Sequence, residues 1–133
     1  MLGCGLPRGR QVGVAAYEAA RAMAELNLRL GHDVVIDAVS DSDAPRQTWR
    51  NAASATGGDL RFVHLVISDP EEHRRRLLDR DRGFVNVPEP EWQDVQLRSA
   101  EYAPWVDEHL EVDTSTTRAD DIVASMIARF AST

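Results

Sequence analysis

The sequence predicts an α/β domain in which a three-layer parallel sheet is flanked by helices. Short apolar segments rich in β-branched residues, typical of strands buried on both faces, occur at Asp33–Val39, Leu60–Ile67 and His109–Asp113. Segments with helical periodicity separate these strands, and such alternation favours a parallel sheet. A length of 133 residues suits a single domain over residues 1–133, in which residues 1–11 form an irregular start.

The first two helices are predicted from periodicity and from end signals. Over Val14–Leu30, polar residues recur every three or four positions and form one narrow stripe of potential ion pairs, so we expect a mostly buried helix. The stripe consists of Glu18, Arg21, Glu25 and Arg29. Asp43 is the predicted N-cap of a second helix that opens at Pro45, and Gly57-Gly58 ends it.

The remaining helices follow the second and third strands or lie between them. Asp69 is the predicted N-cap of a helix with Pro70 at its first position, and this helix should end near Gly83. A further helix is predicted over Glu91–Tyr102. The last one covers Thr117–Phe130, with the threonine as its N-cap.

Composition narrows the classes of function. All 15 basic residues are arginine, yet the net charge is -7, so the chain has no global basic field. Direct nucleic-acid binding is therefore the least favoured of the functions that the sequence suggests. No apolar stretch approaches the roughly 20 residues of a membrane helix, and the start lacks the apolar core of a secretion signal. Cys4 is the only cysteine, so no intrachain disulfide can form. We therefore expect a soluble cytoplasmic protein without a membrane partner.

Polar residues gather where the predicted strands end. In a parallel sheet, ligands bind beyond the carboxyl ends of the strands. Asp37 interrupts an apolar strand at that edge, where its carboxylate could orient an acceptor hydroxyl, accept its proton or hold Mg²⁺ through water. The alternative is an acid hydrogen-bonded to loop amides. The other residues at this edge include Ser40, Asp113, Thr114 and Ser115.

Two pairs of arginines are further candidates. Arg76 and Arg80 lie in the densest basic cluster, and a spacing of one helical turn would let two guanidiniums grip one polyphosphate. Acids in the same segment offer the alternative of a solvated, salt-bridged helix, which the pattern alone favours. Arg46 and Arg50 share a face of the second helix and could contact an anionic acceptor, although surface arginines at this spacing are common.

Two other kinds of site are not predicted. The histidines show no metal-ligand spacing, so we expect no metal site among them. They are His32, His64, His73 and His109. A working P-loop has the pattern GxxxxGK[ST] after a buried strand, and Gly5–Gln11 has the wrong spacing, no preceding strand and no lysine.

Several segments, in their order and spacing, resemble a known family. They are AELNLRLGHDVVIDAV (Ala24–Val39), the Arg46-x-x-Trp49-Arg50 helix, VISDPEEHRRRLLDR (Val66–Arg80), PEPEWQDV (Pro88–Val95), EYAPW (Glu101–Trp105) and LEVDTS (Leu110–Ser115). The chain thereby resembles small AAA-type P-loop ATPases of the predicted-kinase group, which are similar to zeta-toxin, chloramphenicol phosphotransferase and polynucleotide-kinase-like enzymes. The resemblance covers about Val12–Phe130.

The resemblance implies a P-loop NTPase-like fold and ATP-dependent phosphoryl transfer, with Mg²⁺, to a small-molecule acceptor or nucleotide. Asp37 matches the acid that faces the acceptor. Arg76 and Arg80 match arginines of a mobile lid, which would stabilise charge on the transferring phosphoryl group. The loop near the adenine matches Asp113, Thr114 and Ser115.

The chain departs from this family at its N-terminal side. Relatives begin with a strand, the P-loop and its helix, and that first strand normally lies in the middle of the sheet. We expect either a truncated form of a longer protein or a degenerate descendant that pairs with another chain along its exposed sheet edge, as a homo-oligomer. We expect no appreciable kinase activity without the P-loop.

Two functions of different classes remain open. If the chain is a kinase-like enzyme, its arginine helix holds nucleotide or phosphate. If it is a non-catalytic scaffold or interaction module, neighbouring acids occupy the same arginines.

Overall fold

The computed structural model describes residues 10–83, 85 and 88–131, and its architecture is mixed α/β. The elements in chain order are α1 (Arg10–Arg29), α2 (Asp43–Thr56), β1 (Phe62–Val66), α3 (Pro70–Leu78), α4 (Trp92–Glu101), β2 (His109–Asp113) and α5 (Ala119–Phe130). They divide into two compact units, of which the first contains α1, α2 and Gln96–Pro104 and the second contains both strands, α3 and α5. Within the described ranges, no helix combines the length and the apolar character needed to cross a membrane.

The sheet has two parallel strands in the described part of the chain. Phe62 is in register with His109, and Val66 with Asp113. Both strands lie within the segments predicted for them, but the first predicted strand, Asp33–Val39, does not form and the predicted three-layer sheet is not observed in the described residues. A strand exists only when another strand pairs with it. Val35 is 89% exposed, so its apolar β-branched side chain is not part of a core.

Helix α1 begins earlier than predicted and is less buried. It includes residues 10 and 11, whereas the rest of the predicted irregular start lies outside the described residues. The predicted ion pairs are confirmed, because Glu25 bonds to both Arg21 and Arg29. The prediction of a mostly buried helix is wrong, since Met23 and Leu26 are exposed while Glu25 is buried. Helix α1 packs mainly against α2.

The core of the first unit forms between α1 and α2. The rings of Tyr17 and Trp49 lie 5.6 Å apart, and Trp49, Ala24 and Ala52 are buried. The hydroxyl of Tyr17 donates to the carbonyl oxygen of Val39, which attaches the segment before α2 to α1. Burial raises the pKa of the Tyr17 phenol, so it remains a donor at neutral pH.

The ends of α2 and α3 confirm part of the local predictions. Gly57 adopts the left-handed conformation that closes α2, at φ 71°, although the N-cap of α2 is Ser42 and not Asp43. Asp69 caps α3 as predicted and accepts bonds from the backbone N–H groups of Glu71 and Glu72.

Other helix ends differ from the predictions. Helix α3 ends at Leu78 and not near Gly83, so Arg80 lies beyond the helix. The predicted alignment of Arg76 and Arg80 on one helical face is therefore wrong. Helix α4 lies within its predicted segment, and the N-cap of α5 is Arg118 rather than Thr117.

Candidate functional site

The carboxyl ends of β1 and β2 carry a polar network in the second unit. Val66 and Asp113 are partners in the last register pair. The carboxylate of Asp113 accepts bonds from the hydroxyl and the backbone N–H of Ser68, and from the hydroxyl and the backbone N–H of Ser115. Thr114 donates its hydroxyl and its backbone N–H to the carbonyl oxygen of Val66, at 3.0 and 2.8 Å. The loop after β2 is thus attached to the end of β1.

This network keeps Asp113 ionised. Hydrogen bonds from the side chain of Ser115, and then from that of Ser68, hold the pKa of the Asp113 carboxyl well below its usual range. A carboxylate that already accepts four bonds has little capacity left for a further donor. Its negative charge also disfavours a phosphate placed directly against it.

Arg76 links α3 to this network. Its Nη1 and Nη2 donate to the hydroxyl and carbonyl oxygens of Thr114, at 3.2 and 2.9 Å. Its Nε donates to Glu72 at 2.7 Å. Hydrogen bonds from Arg75 and Arg76 lower the pKa of Glu72 to about 2, so this acid is ionised at neutral pH and neutralises part of the cluster. The Arg76 side chain is 43% exposed, so its guanidinium remains accessible to solvent.

The arginines after α3 are placed near a different acid. Arg82 bonds to Glu89 at 2.8 Å, and the Nε of Arg80 lies 3.8 Å from the same carboxylate. The bond from Arg82, together with the charges of both arginines, lowers the pKa of Glu89. Acids therefore accompany the arginines of this segment, as the salt-bridge interpretation predicts.

The predicted acceptor-binding residues lie in the first unit. Asp37 is exposed, in a segment without helix or strand. Arg46 is 1% exposed and donates to the carbonyl oxygens of Ser40, Ala103 and Pro104, at 3.0, 2.7 and 2.7 Å. Such a buried, fully engaged guanidinium holds two backbone segments together, and this placement argues against contact with a substrate.

Arg50 and Ser40 complete the predicted set. Arg50 bonds to Asp43 at 2.6 Å on the surface of α2. Ser40 contributes its carbonyl oxygen to Arg46. Within the described residues, the structure thus joins Ser40 to Arg46 in one unit and Arg76 to Thr114 and Asp113 in the other.

One group of chemistry-bearing residues was missed by sequence reasoning. His64, His109 and Glu111 lie together on β1 and β2, with one potential ligand atom of each within 4.8 Å of the others. His64 and His109 are far apart in the sequence and have no motif spacing. The signal that could have found them is the parallel register of the two strands, which sequence pattern alone does not specify.

Comparison of the chain with protein-family models, with curated proteins and with solved structures found no match. Asp113 and Arg76 form hydrogen bonds within their own unit, so the edge is a cross-linked polar network in which one guanidinium is accessible to solvent.

Proposed function

We propose that this chain is a scaffold or interaction module with a P-loop kinase-like fold, and that it does not transfer phosphate. The observation that carries this proposal is the set of hydrogen bonds made by Arg76, whose three guanidinium nitrogens all donate to Glu72 or Thr114. The sequence adds that no lysine is present to neutralise a β- or γ-phosphate. Positioning of these phosphates supplies most of the catalysis in phosphoryl transfer, so its loss makes turnover very slow.

The finer part of the proposal concerns the fold. A three-layer, P-loop NTPase-like sheet needs more strands than the β1–β2 ladder, and the described residues contain no further strand. On this proposal, a missing strand would account for the unpaired Asp33–Val39 and for the exposure of Leu65 on β1. Two parallel strands are marginal without further pairing. The partner in this proposal is a second copy of the chain along the open edge of β1. The single cysteine supports a cytoplasmic location.

The second candidate is ATP-dependent phosphoryl transfer, with Mg²⁺, to a small acceptor. It is favoured by one observation, the solvent accessibility of Arg76 beside the loop that follows β2. A polyphosphate could replace the Thr114 carbonyl as the partner of this guanidinium. On this candidate, the family resemblance assigns Arg76 and Arg80 to the nucleotide and Asp37 to the acceptor. The adenine-side residues are Asp113, Thr114 and Ser115, and the other acceptor contacts are Ser40, Arg46 and Arg50.

The experiment that separates the two candidates is ADP release from ATP by the purified chain, with and without Mg²⁺. Light scattering on the same samples reports whether the chain is a monomer or an oligomer. The scaffold proposal predicts no release above the buffer rate. Release that needs Mg²⁺, is lost in Arg76→Ala and is retained in the neighbouring control Arg74→Ala would overturn it in favour of the enzyme.

A further inference from the structure

The two strands carry a polar cluster on one face. Side chains alternate between the faces of a strand, so His109 and Glu111 share a face of β2. His64 is the register partner of Glu111 and lies on β1 beside it. The Nδ1 atom of His64 is 3.5 Å from the Oε2 atom of Glu111. One ligand atom from each of the three residues lies within 4.8 Å of the others.

We propose that His64, His109 and Glu111 bind a divalent metal ion of the zinc type. Two imidazole nitrogens and one carboxylate oxygen are ligands that zinc accepts in proteins, and three protein ligands leave a fourth position for water. The imidazole content selects zinc over magnesium and calcium, which prefer ligand sets made of oxygen alone. This site is independent of the proposed scaffold function.

The distances suit a tetrahedral ion. Ligand atoms about 2.1 Å from a tetrahedral zinc are about 3.4 Å from one another. The separation of 3.5 Å between His64 and Glu111 already matches this value. No separation in the cluster exceeds 4.8 Å, so the ligand atoms need to approach one another by at most about 1.4 Å. Rotation of the Glu111 side chain, which is 60% exposed, can supply part of this movement without a backbone shift.

A backbone carbonyl beside His109 favours the form of its ring that can bind a metal ion. Its Nδ1 lies 3.0 Å from the carbonyl oxygen of Asp107, which can accept a hydrogen bond from that nitrogen. When Nδ1 carries the proton, Nε2 has the lone pair that a metal requires. A hydrogen bond from a histidine ligand to a backbone carbonyl is a common feature of zinc sites, because it orients the ring and increases its basicity.

Aromatic rings limit the access of water to one side of the cluster. Trp105 stacks on His109 with ring centroids 5.0 Å apart, and its ring is 5.6 Å from that of His64. Phe62 lies 5.1 Å from the same indole. The His64 side chain is only 20% exposed, whereas the exposed Glu111 leaves an entry path from solvent. An apolar surround of this kind strengthens the attraction between a cation and its ligands.

A bound metal ion would cross-link the two strands. Its ligands come from both β1 and β2, so the ion would add a cross-strand connection to a sheet with two strands. Because the folded chain holds the ligands together and the unfolded chain does not, the ion binds the folded state preferentially and stabilises it.

The test is calorimetric titration of the full chain with Zn²⁺ near neutral pH, in a Cys4→Ser background because a thiol also binds zinc. We expect one ion per chain and a higher melting temperature with the ion bound. His64→Gln, His109→Gln and Glu111→Gln should each weaken binding at least about tenfold. The matched controls are His32→Gln and His73→Gln, which should bind as tightly as the parent.

Two further measurements establish that the variants are folded and that the ion is four-coordinate. Circular dichroism establishes that each variant is folded, and Glu111→Gln removes a ligand at an exposed position that the fold tolerates. Titration with Co²⁺ should give the intense visible absorption of a four-coordinate ion with a mixed nitrogen and oxygen ligand set. Absence of zinc binding by the folded parent would overturn the proposal, as would equal affinities in the ligand variants and the controls.

Discussion

Replacement of Arg46 by alanine should destabilise the first unit strongly. The change removes three hydrogen bonds from a buried guanidinium to backbone carbonyls, and its contact with the ring of Tyr102 at 5.6 Å. The carbonyls belong to partly exposed residues, so water can replace some of the lost bonds and each costs about 1 kcal/mol, below the usual range for bonds from charged groups. The ring contact adds about 0.5 kcal/mol. We therefore expect a loss of about 3 to 4 kcal/mol in the free energy of unfolding.

The assay is urea unfolding followed by tryptophan fluorescence, to which the buried Trp49 contributes. The matched control is Arg50→Ala on the same helix, which removes the bonds of a partly exposed side chain to Asp43 and Gln47 and should cost about 0.5 kcal/mol. Arg46→Lys keeps the charge without the planar fork and should fall between the two. Equal, small losses in Arg46→Ala and Arg50→Ala would refute the structural role assigned to Arg46.

Two further predictions concern the second unit. Asp69→Ala removes the N-cap of α3 and should cost about 1 kcal/mol in urea unfolding, whereas Asp69→Asn should retain most of the stability. Asp113→Asn should change the pH dependence of stability. Because the pKa of Asp113 is lower in the folded chain than in the unfolded chain, its contribution is present above the unfolded pKa and is lost as the pH falls through the folded pKa. The difference between parent and variant should therefore shrink below about pH 4 in unfolding curves, and a constant difference would contradict the assignment.

Features that depend on neighbouring residues were predictable from the sequence. The cap of α3 is one, because Asp69 accepts bonds from backbone groups two and three residues later. The ion pairs of α1 and the closing role of Gly57 also depend on spacing or on one residue's conformational freedom. The segments for β1 and β2 were found because short apolar segments with β-branched residues indicate strands, although no residue of either strand is fully buried.

Features that depend on tertiary pairing were not predictable. Asp33–Val39 has the composition of a buried strand, but composition does not supply the partner that a strand requires. The buried role of Arg46 depends on carbonyls more than 50 residues away, at Ala103 and Pro104. Proximity of His64 to His109 likewise follows from the register of two strands and from no local spacing.

We propose that the hydrogen bonds of Arg76 and Asp113 within the second unit leave the sheet edge without a nucleotide site. Calorimetric titration of the folded chain with ATP and with ADP, each with Mg²⁺, tests this most directly, with Arg76→Ala and Arg80→Ala as companion variants. We expect no binding by the parent. Micromolar binding by the parent that both substitutions weaken would contradict it and would establish a working nucleotide site at these arginines.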